Sequence, residues 1–165
     1  MKSVLLSIHP KWCELIASGE KTVEVRKTKP KIEPPFKCYI YETKGKTDTP
    51  FMDEDGHLDF HGRGQVIGEF VCDDIIYAGL GNYRIFKTSE TQIEPLDLLD
   101  YADDKRVYGW HISHLVIYDK PKDLREFKKP CKETNLCYPD NCNRCGWNIL
   151  LRPPQSWCYV EKESD

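Results

Sequence analysis

The chain contains no long apolar segment. Its first twelve residues, MKSVLLSIHPKW, carry two lysines, Lys2 and Lys11, and only three consecutive apolar residues precede Ser7. This run is far too short for the apolar core of a signal peptide, and no later segment approaches the roughly 20 apolar residues of a transmembrane helix. The sequence therefore predicts a cytoplasmic protein without a membrane partner.

The chain also lacks an excess of positive charge. Its 165 residues include 24 lysines and arginines against 27 aspartates and glutamates, for a net charge of −3. This balance excludes a protein covered in positive charge, so any contact with nucleic acid depends on a local basic patch. With 39% hydrophobic and 31% charged residues, the composition is typical of a globular protein of one domain.

Disulfide bonds are a third feature that we expect to be missing. They are rare in a reducing cytoplasm, so the eight cysteines should be thiols or metal ligands. Cys13, Cys38, Cys72 and Cys158 lie within apolar patterns, and we expect them to be buried as small hydrophobic side chains.

The other four cysteines crowd into one segment, CKETNLCYPDNCNRC, as Cys131, Cys137, Cys142 and Cys145. A C-x2-C pair with two further thiolates nearby can complete a closed, tetrahedral, structural zinc site. Ordinary thiols in an exposed loop are the alternative; a catalytic redox pair is disfavoured, because no helix pattern follows the C-x2-C. Zinc here would hold an insertion at about residues 128–149.

Alternating and apolar segments predict a protein made mainly of strands. We expect strands at residues 3–8, 21–27, 38–43, 65–78, 110–119 and 155–161, short helices at 9–19 and 96–104, and one helical turn within 120–127. The polar segment 44–64 is interpreted as a surface loop, since its acids and histidines do not match a calcium loop. Many short strands and few helices favour a small β-barrel with helices at its rim.

The segment SGEKTVEVRK carries an unusual density of charge for a short strand. Val23 and Val25 alternate with polar residues, while Lys21, Glu24 and Arg26 would lie on or beside the opposite face. One interpretation is a solvated strand face with a weak ion pair, and the other is the floor of a charged cleft.

Glu69 lies in the middle of the most apolar strand, QVIGEFVCDDIIYA. An unpaired buried carboxylate is very costly. Glu69 is therefore expected either to form a structural ion pair or to belong to a functional site.

Several of these segments together resemble the ASCH domain family, the activating-signal-cointegrator homology domain of the PUA-like superfamily. The resemblance is carried by LLSIHPKWCELIASGEKTVEVRK, CYIYET and GQVIGEF. The matching positions are Gly19, Lys21, Glu24, Arg26, Tyr41, Thr43, Val66, Gly68, Glu69 and Phe70. It implies a single mixed α+β, mainly β domain over residues 1–165, a PUA-like pseudobarrel with short rim helices and a cleft beside the first helix.

The resemblance also implies a role in RNA binding and RNA metabolism. Under this hypothesis the ligand is RNA or a nucleotide held in the charged cleft. Phosphate contacts would come from Lys11, Lys21, Arg26 and Lys27, stacking on a base from Trp12, Tyr41 or Trp157, and polar rim contacts from Gln155 and Ser156. Glu24 would accept hydrogen bonds from a base amino group or orient Arg26. Trp12 and Trp157 could equally be core residues.

A hydrolase is the alternative function. One branch of the family looks like an amidohydrolase of acetylated cytidine that uses a lysine, a threonine and a glutamate; others are reported as ribonucleases. By position the lysine is Lys21 and the glutamate Glu69, acting as a coupled acid/base pair. Glu24 occupies the threonine position, so the nucleophile of that branch is missing. A protein-interaction module acting through the cysteine-bearing insertion is a third possibility.

The zinc hypothesis predicts a fixed metal content. Purified protein should contain about one zinc per chain by atomic emission, and replacing Cys142 and Cys145 with serine should abolish it, because a structural site needs four ligands. The double substitution Cys38→Ser and Cys72→Ser is the matched control and should leave the metal content unchanged. Metal-free wild-type protein would contradict the hypothesis.

Overall fold

The computed structural model describes residues 2–52, 55–79, 86–130 and 148–161. Within these residues the strands are β1 (Lys2–Ile8), β2 (Val23–Arg26), β3 (Phe36–Glu42), β4 (Lys46–Met52), β5 (Leu58–His61), β6 (Val66–Ala78), β7 (Val107–Lys122) and β8 (Trp157–Glu161). The helices are α1 (Pro10–Ala17), α2 (Thr88–Thr91) and α3 (Pro95–Ala102), and a 3-10 turn covers Leu124–Glu126. Each of the six predicted strands and both predicted helices is present.

The main sheet has six strands in the order β2-β7-β6-β3-β1-β8. All neighbouring pairs are antiparallel except β1 and β3, which run parallel with Leu5 opposite Tyr39. A parallel pair needs a crossover connection, and here the crossover carries α1 and β2. As a result α1 and the charged strand lie next to the end of β1.

The first helix forms where its sequence signals place it. Pro10 occupies the first turn, and Gly19 adopts a φ of 81° just beyond the helix end, a conformation that glycine adopts without steric cost. The buried face of α1 is formed by Pro10, Cys13 and Ile16. It packs into a core cluster with side chains of β1, β3 and β6.

A second core cluster occupies the opposite face of the sheet. Leu5, Tyr39 and Phe127 belong to it, whereas Val4 and Cys38, their neighbours along β1 and β3, belong to the first cluster. This alternation follows from the two-residue period of a strand. A mainly β fold with short helices on a sheet that has a core on both faces confirms the predicted fold class.

Side chains bridge the two outer strands of the sheet order, β2 and β8. Arg26 donates from Nη2 to the backbone oxygen of Ser7 at 2.8 Å, and Trp157 Nε1 donates to Thr28 Oγ1 at 2.9 Å. These contacts join the β2 side of the sheet to the β1–β8 side. They complete the pseudobarrel by side chains instead of a strand ladder, and we call this line of contact the seam.

The prediction of a surface loop over residues 44–64 is wrong. β4 and β5 pair there as a separate antiparallel hairpin, with Lys46 opposite His61 and Met52 opposite Leu58. The large apolar side chains Met52, Leu58 and Phe60 are exposed, so these strands show no alternation of buried apolar and exposed polar residues that a sequence pattern could reveal. The short helix α2 was also not predicted, since four residues are too few to carry a periodic pattern.

The cysteines outside the cluster behave largely as predicted. Cys13, Cys38 and Cys72 are buried, and burial raises the pKa of each thiol, in the case of Cys72 to about 12. Cys158 is half-buried, and burial again raises its pKa. These thiols therefore stay protonated and unreactive at neutral pH.

The predicted zinc site stays a prediction. Cys131, Cys137, Cys142 and Cys145 lie outside the described residues. On either side of them Lys128 and Ile149 form an antiparallel bridge, which closes the base of the segment.

The described part of the chain contains no group of three or more metal-ligating side chains. None of the helices in this part is long and apolar enough to cross a membrane.

Gly62, directly after β5, tests how the β4–β5 hairpin packs against Thr43 and the start of α1. A Cβ atom added there would lie 1.9 Å from the Thr43 backbone oxygen and 2.6 Å from Pro10 Cγ. We expect Gly62→Ala to lower the free energy of unfolding by about 1–3 kcal/mol, the usual cost of overpacking. Gly79→Ala is the matched control, because a Cβ at Gly79 meets no atom of the described residues within 4 Å. Urea denaturation of both variants measures the difference, and equal losses would contradict this placement of the hairpin base.

Candidate functional site

The charged strand β2 is buried on both of its faces. Val23 and Val25 are buried as predicted, but Glu24 and Arg26 are also only 5% and 8% exposed. Lys21, just before the strand, is 2% exposed. The interpretation as a solvated strand face is therefore excluded, because these three charges have left bulk water.

These three residues, which we call the charged trio, form one connected ion-pair cluster. Glu24 Oε1 lies 2.9 Å from Arg26 Nη2, and Glu24 Oε2 lies 3.6 Å from Lys21 Nζ. One carboxylate thus neutralises one of two cations, and a net positive charge remains. Pairing is what makes the burial of such groups tolerable.

The surroundings of the trio fix its geometry. Lys21 Nζ donates to the backbone oxygen of Thr91 in α2, and it lies 4.9 Å from the ring centroid of Trp12. Arg26 reaches the backbone oxygen of Ser7 and the hydroxyl of Ser156. Burial lowers the pKa of Lys21, although the charge of Glu24 opposes this effect. Helix α2, helix α1 and the seam therefore all contact the trio.

A cavity of about 350 Å³ opens directly over the trio. It is lined by Ser7, Ile8, His9, Trp12, Lys21, Glu24, Val25, Arg26, Thr43, Ile93, Asp97, Tyr101 and Gln155. The trio forms one charged surface, and the rings of Trp12 and Tyr101 contribute aromatic surface. A concave site of this size with few convergent polar groups is typical of small-ligand binding sites.

Two further predicted residues lie on the aromatic side chains of the cavity. The exposed Lys11 places Nζ 4.9 Å from the centroid of Trp12, and Lys27 places Nζ 5.0 Å from that of Tyr101. Neither lysine lines the cavity itself. Both add positive charge beside it.

Two predicted stacking residues are not in the cavity. Tyr41 is buried in the second core cluster. Trp157 packs against Trp110 and Tyr159, with ring centroids 6.0 and 5.4 Å away. Trp157 is thus half-buried and packs against the first core cluster, and the Ser156 hydroxyl accepts a hydrogen bond from Arg26 Nη1 at 3.4 Å.

Glu69 lies on a different face of the sheet from the trio. It is opposite Tyr39 in the register of β6 with β3, and Tyr39 belongs to the second core cluster. Lys37 Nζ and the Tyr118 hydroxyl each donate to its carboxylate at 2.6 Å. Burial opposes ionisation, but these two hydrogen bonds lower the pKa of Glu69. Glu69 thus forms a structural ion pair and is not brought to Lys21.

Among the cavity residues without a predicted site role are His9, Thr43, Asp97 and Tyr101. His9 precedes α1, Thr43 follows β3, and Asp97 and Tyr101 belong to α3. Thr43 was visible in the family pattern, but only as a matching position. The helix α3 carries no chemical signature in the sequence, so its approach to the cavity depends on long-range packing.

Removing the charge of Glu24 should lower the free energy of unfolding, because Glu24 is the only carboxylate of the trio. Glu24→Gln leaves Lys21 and Arg26 as buried cations without a counter-charge, and we expect the free energy of unfolding to fall by about 3–5 kcal/mol. Glu90→Gln makes the same change at the solvent-facing pair with Lys87, and should cost less than about 1 kcal/mol. Urea denaturation distinguishes the two, and similar losses would contradict a buried cluster.

The lowered pKa of Lys21 predicts a pH dependence of stability. The unfolded chain keeps its proton on Lys21 up to the ordinary pKa of 10.5, whereas the folded chain releases it at lower pH. Between the two values the unfolded state binds more protons, so stability rises with pH. The free energy of unfolding of the wild type minus that of Lys21→Met should therefore increase as pH rises towards 10.5. A difference that stays constant in urea titrations across this range would contradict the prediction.

The comparisons with known proteins agree with this architecture. The structure aligns with that of the ASCH protein from Zymomonas mobilis at a TM-score of 0.64 and 18% identity, over 98% of this chain and 89% of that one. Two point mutants of the same protein align at TM-scores of 0.64 and 0.62, with 18% and 17% identity; the alignments cover 98% and 97% of this chain and 92% and 89% of the mutants. Curated protein sequences give no significant match.

The structural likeness, at this low identity, establishes the fold. The sequence itself matches the profile of the ASCH domain over residues 6–122, which is more than half of the chain. This match includes the charged trio and ends before the cysteine-bearing segment. The chain belongs to the ASCH domain family, whose PUA-like domains are generally associated with RNA binding.

Proposed function

We propose that this ASCH domain binds RNA and holds one nucleotide in the cavity over the charged trio. The observation that carries the proposal is the combination of a cation-rich buried surface with aromatic side chains in one cavity of about 350 Å³. Single-stranded RNA is recognised by stacking its bases on aromatic rings and by contacts to its base edges and phosphates.

The trio is suited to orienting a base more than to binding a phosphate backbone. Both Lys21 and Arg26 are already ion-paired with Glu24. Within the described residues, Arg26 Nε is buried without a hydrogen-bond partner, so it can donate to a polar ligand group. The exposed Lys11 and Lys27 are better placed for phosphates, since phosphate contacts are made at the surface of the protein.

Tyr101 offers a sharp test of this proposal. It is 40% exposed and lines the cavity, so Tyr101→Ala should weaken binding of a short single-stranded RNA by about tenfold, the usual effect of losing one stacking contact. Fluorescence anisotropy with a panel of labelled oligonucleotides gives the affinities.

Tyr77→Ala is the matched control. Tyr77 is also exposed and has Arg106 over its ring at 4.8 Å, much as Tyr101 has Lys27, but it lies on β6 and does not line the cavity. Its substitution should leave the affinity unchanged. The proposal fails if no RNA in the panel binds, or if both tyrosine variants weaken binding equally.

A hydrolase is the second candidate, and one observation favours it. Lys21 has a lowered pKa and lies 3.6 Å from Glu24 beside the cavity, so this pair could move a proton to or from a bound nucleoside. Glu24 would then take the part that the sequence assigned to Glu69. Incubation with modified nucleosides and short RNAs tests this function, and an absence of turnover at saturating substrate would exclude it.

A further inference from the structure

A second cavity lies beside the first. Its volume is about 420 Å³, and it is lined by Tyr41, Thr43, Lys44, Gly64, Asp123, Leu124, Arg125, Leu150, Leu151 and Pro153. It borders the second core cluster, to which Tyr41, Leu124 and Leu150 belong, so one side of it is apolar. Lys44, Arg125 and Asp123 contribute charged groups.

The two cavities adjoin each other along two segments of the chain. Thr43 lines both, because it follows β3 at the boundary between them. The segment before β8 runs from one to the other, with Pro153 lining the second cavity and Gln155 the first. Between these two residues the Pro154 backbone oxygen accepts a hydrogen bond from Ser7 Oγ at 2.6 Å, which fixes the segment at this boundary.

The boundary itself carries an unsatisfied polar group. Thr43 Oγ1 is buried and has no hydrogen-bond partner within the described residues. A hydroxyl can rotate to donate to an acceptor that passes over it. The next residue, Lys44, is exposed and lines the second cavity, so a cation follows directly after the hydroxyl.

From this arrangement we propose that the two cavities are consecutive subsites for two adjacent nucleotides of an RNA strand. One base enters the cavity over the charged trio, the connecting phosphate crosses at Thr43 and Lys44, and the next nucleoside packs on the apolar side of the second cavity. A hydroxyl followed by a lysine matches a phosphodiester, which carries acceptor oxygens and one negative charge. This inference rests on the proposed function and specifies its substrate as a strand, not a free nucleotide.

The test compares two ligands, the second of which is longer than the first by one nucleotide. Calorimetry measures the affinity of the wild-type protein for each ribonucleoside 5′-monophosphate and for the corresponding 5′-phosphorylated homodinucleotide. The dinucleotide with the preferred base should bind about tenfold more tightly, the gain expected from packing one further base.

Two variants locate that gain. Leu151→Ala changes an exposed residue that lines only the second cavity, so it should lose the dinucleotide gain and keep the mononucleotide affinity. Lys44→Ala removes the cation placed at the connecting phosphate, and it should also reduce the dinucleotide affinity. Lys120→Ala removes an exposed lysine that lines neither cavity, and it should bind both ligands as the wild type does.

The outcomes separate the two proposals. If a mononucleotide binds but the dinucleotide gains nothing, the two-subsite inference is overturned and the proposed function stands. The inference is also overturned if Leu151→Ala weakens both ligands equally. If neither ligand binds at all, the proposed function itself fails.

Discussion

The structure depends on a carboxylate that is buried between two cations. Glu24 pairs with both Lys21 and Arg26, and these partners extend the cluster to other elements. Lys21 reaches the backbone of α2, and Arg26 reaches the backbone at the end of β1. Because taking any one of these charges out of water alone is very costly, the elements that complete the cluster must assemble together. The polar interaction thus specifies how the helices sit on the sheet.

The same atoms determine both the closure of the barrel and the shape of the cavity. Arg26 crosses the seam and also lines the cavity, so a change that weakens the seam also changes the binding surface. Asp97 and Tyr101 of α3 line the cavity, but within the described residues no hydrogen bond or ion pair joins them to the trio. Folding and ligand recognition are therefore coupled through β2 and separable through α3.

The sequence predicted the main sheet because strands with apolar faces carry a local signal. It could not decide whether the polar side of β2 is solvated, since that depends on α2 and α3, which are distant in the chain. Glu69 shows the same limit. The sequence showed that this carboxylate needs a partner, but the face on which it lies is set by a register with shifts between β6 and β7. Its partner Lys37 follows from the pairing of β6 with β3, and its partner Tyr118 from the shifted pairing of β6 with β7.

The family pattern contributed what local patterns could not. It identified Lys21, Glu24 and Arg26 as a group, and the structure brings them together. It did not indicate α3 as a cavity wall, because the position of Asp97 and Tyr101 at the cavity depends on packing between segments that are distant in the chain. The hairpin of β4 and β5 was missed for a different reason: its strands pair through the backbone, and the apolar side chains of Met52, Leu58 and Phe60 are exposed.

The bridge between Lys128 and Ile149 holds together the two ends of the cysteine-bearing segment. Next to it Lys129 N donates to the Asn148 backbone oxygen at 2.7 Å, and Leu150 N donates to that of Phe127 at 2.9 Å. Phe127 and Leu150 are both buried, so the core fixes the two points where the intervening chain leaves and returns. The entropic cost of joining fixed ends grows only slowly with the length of the connection. Residues 131–147 can therefore be replaced by segments of other lengths, in evolution or by protein engineering, without any change in the residues of the sheet or of the two cavities.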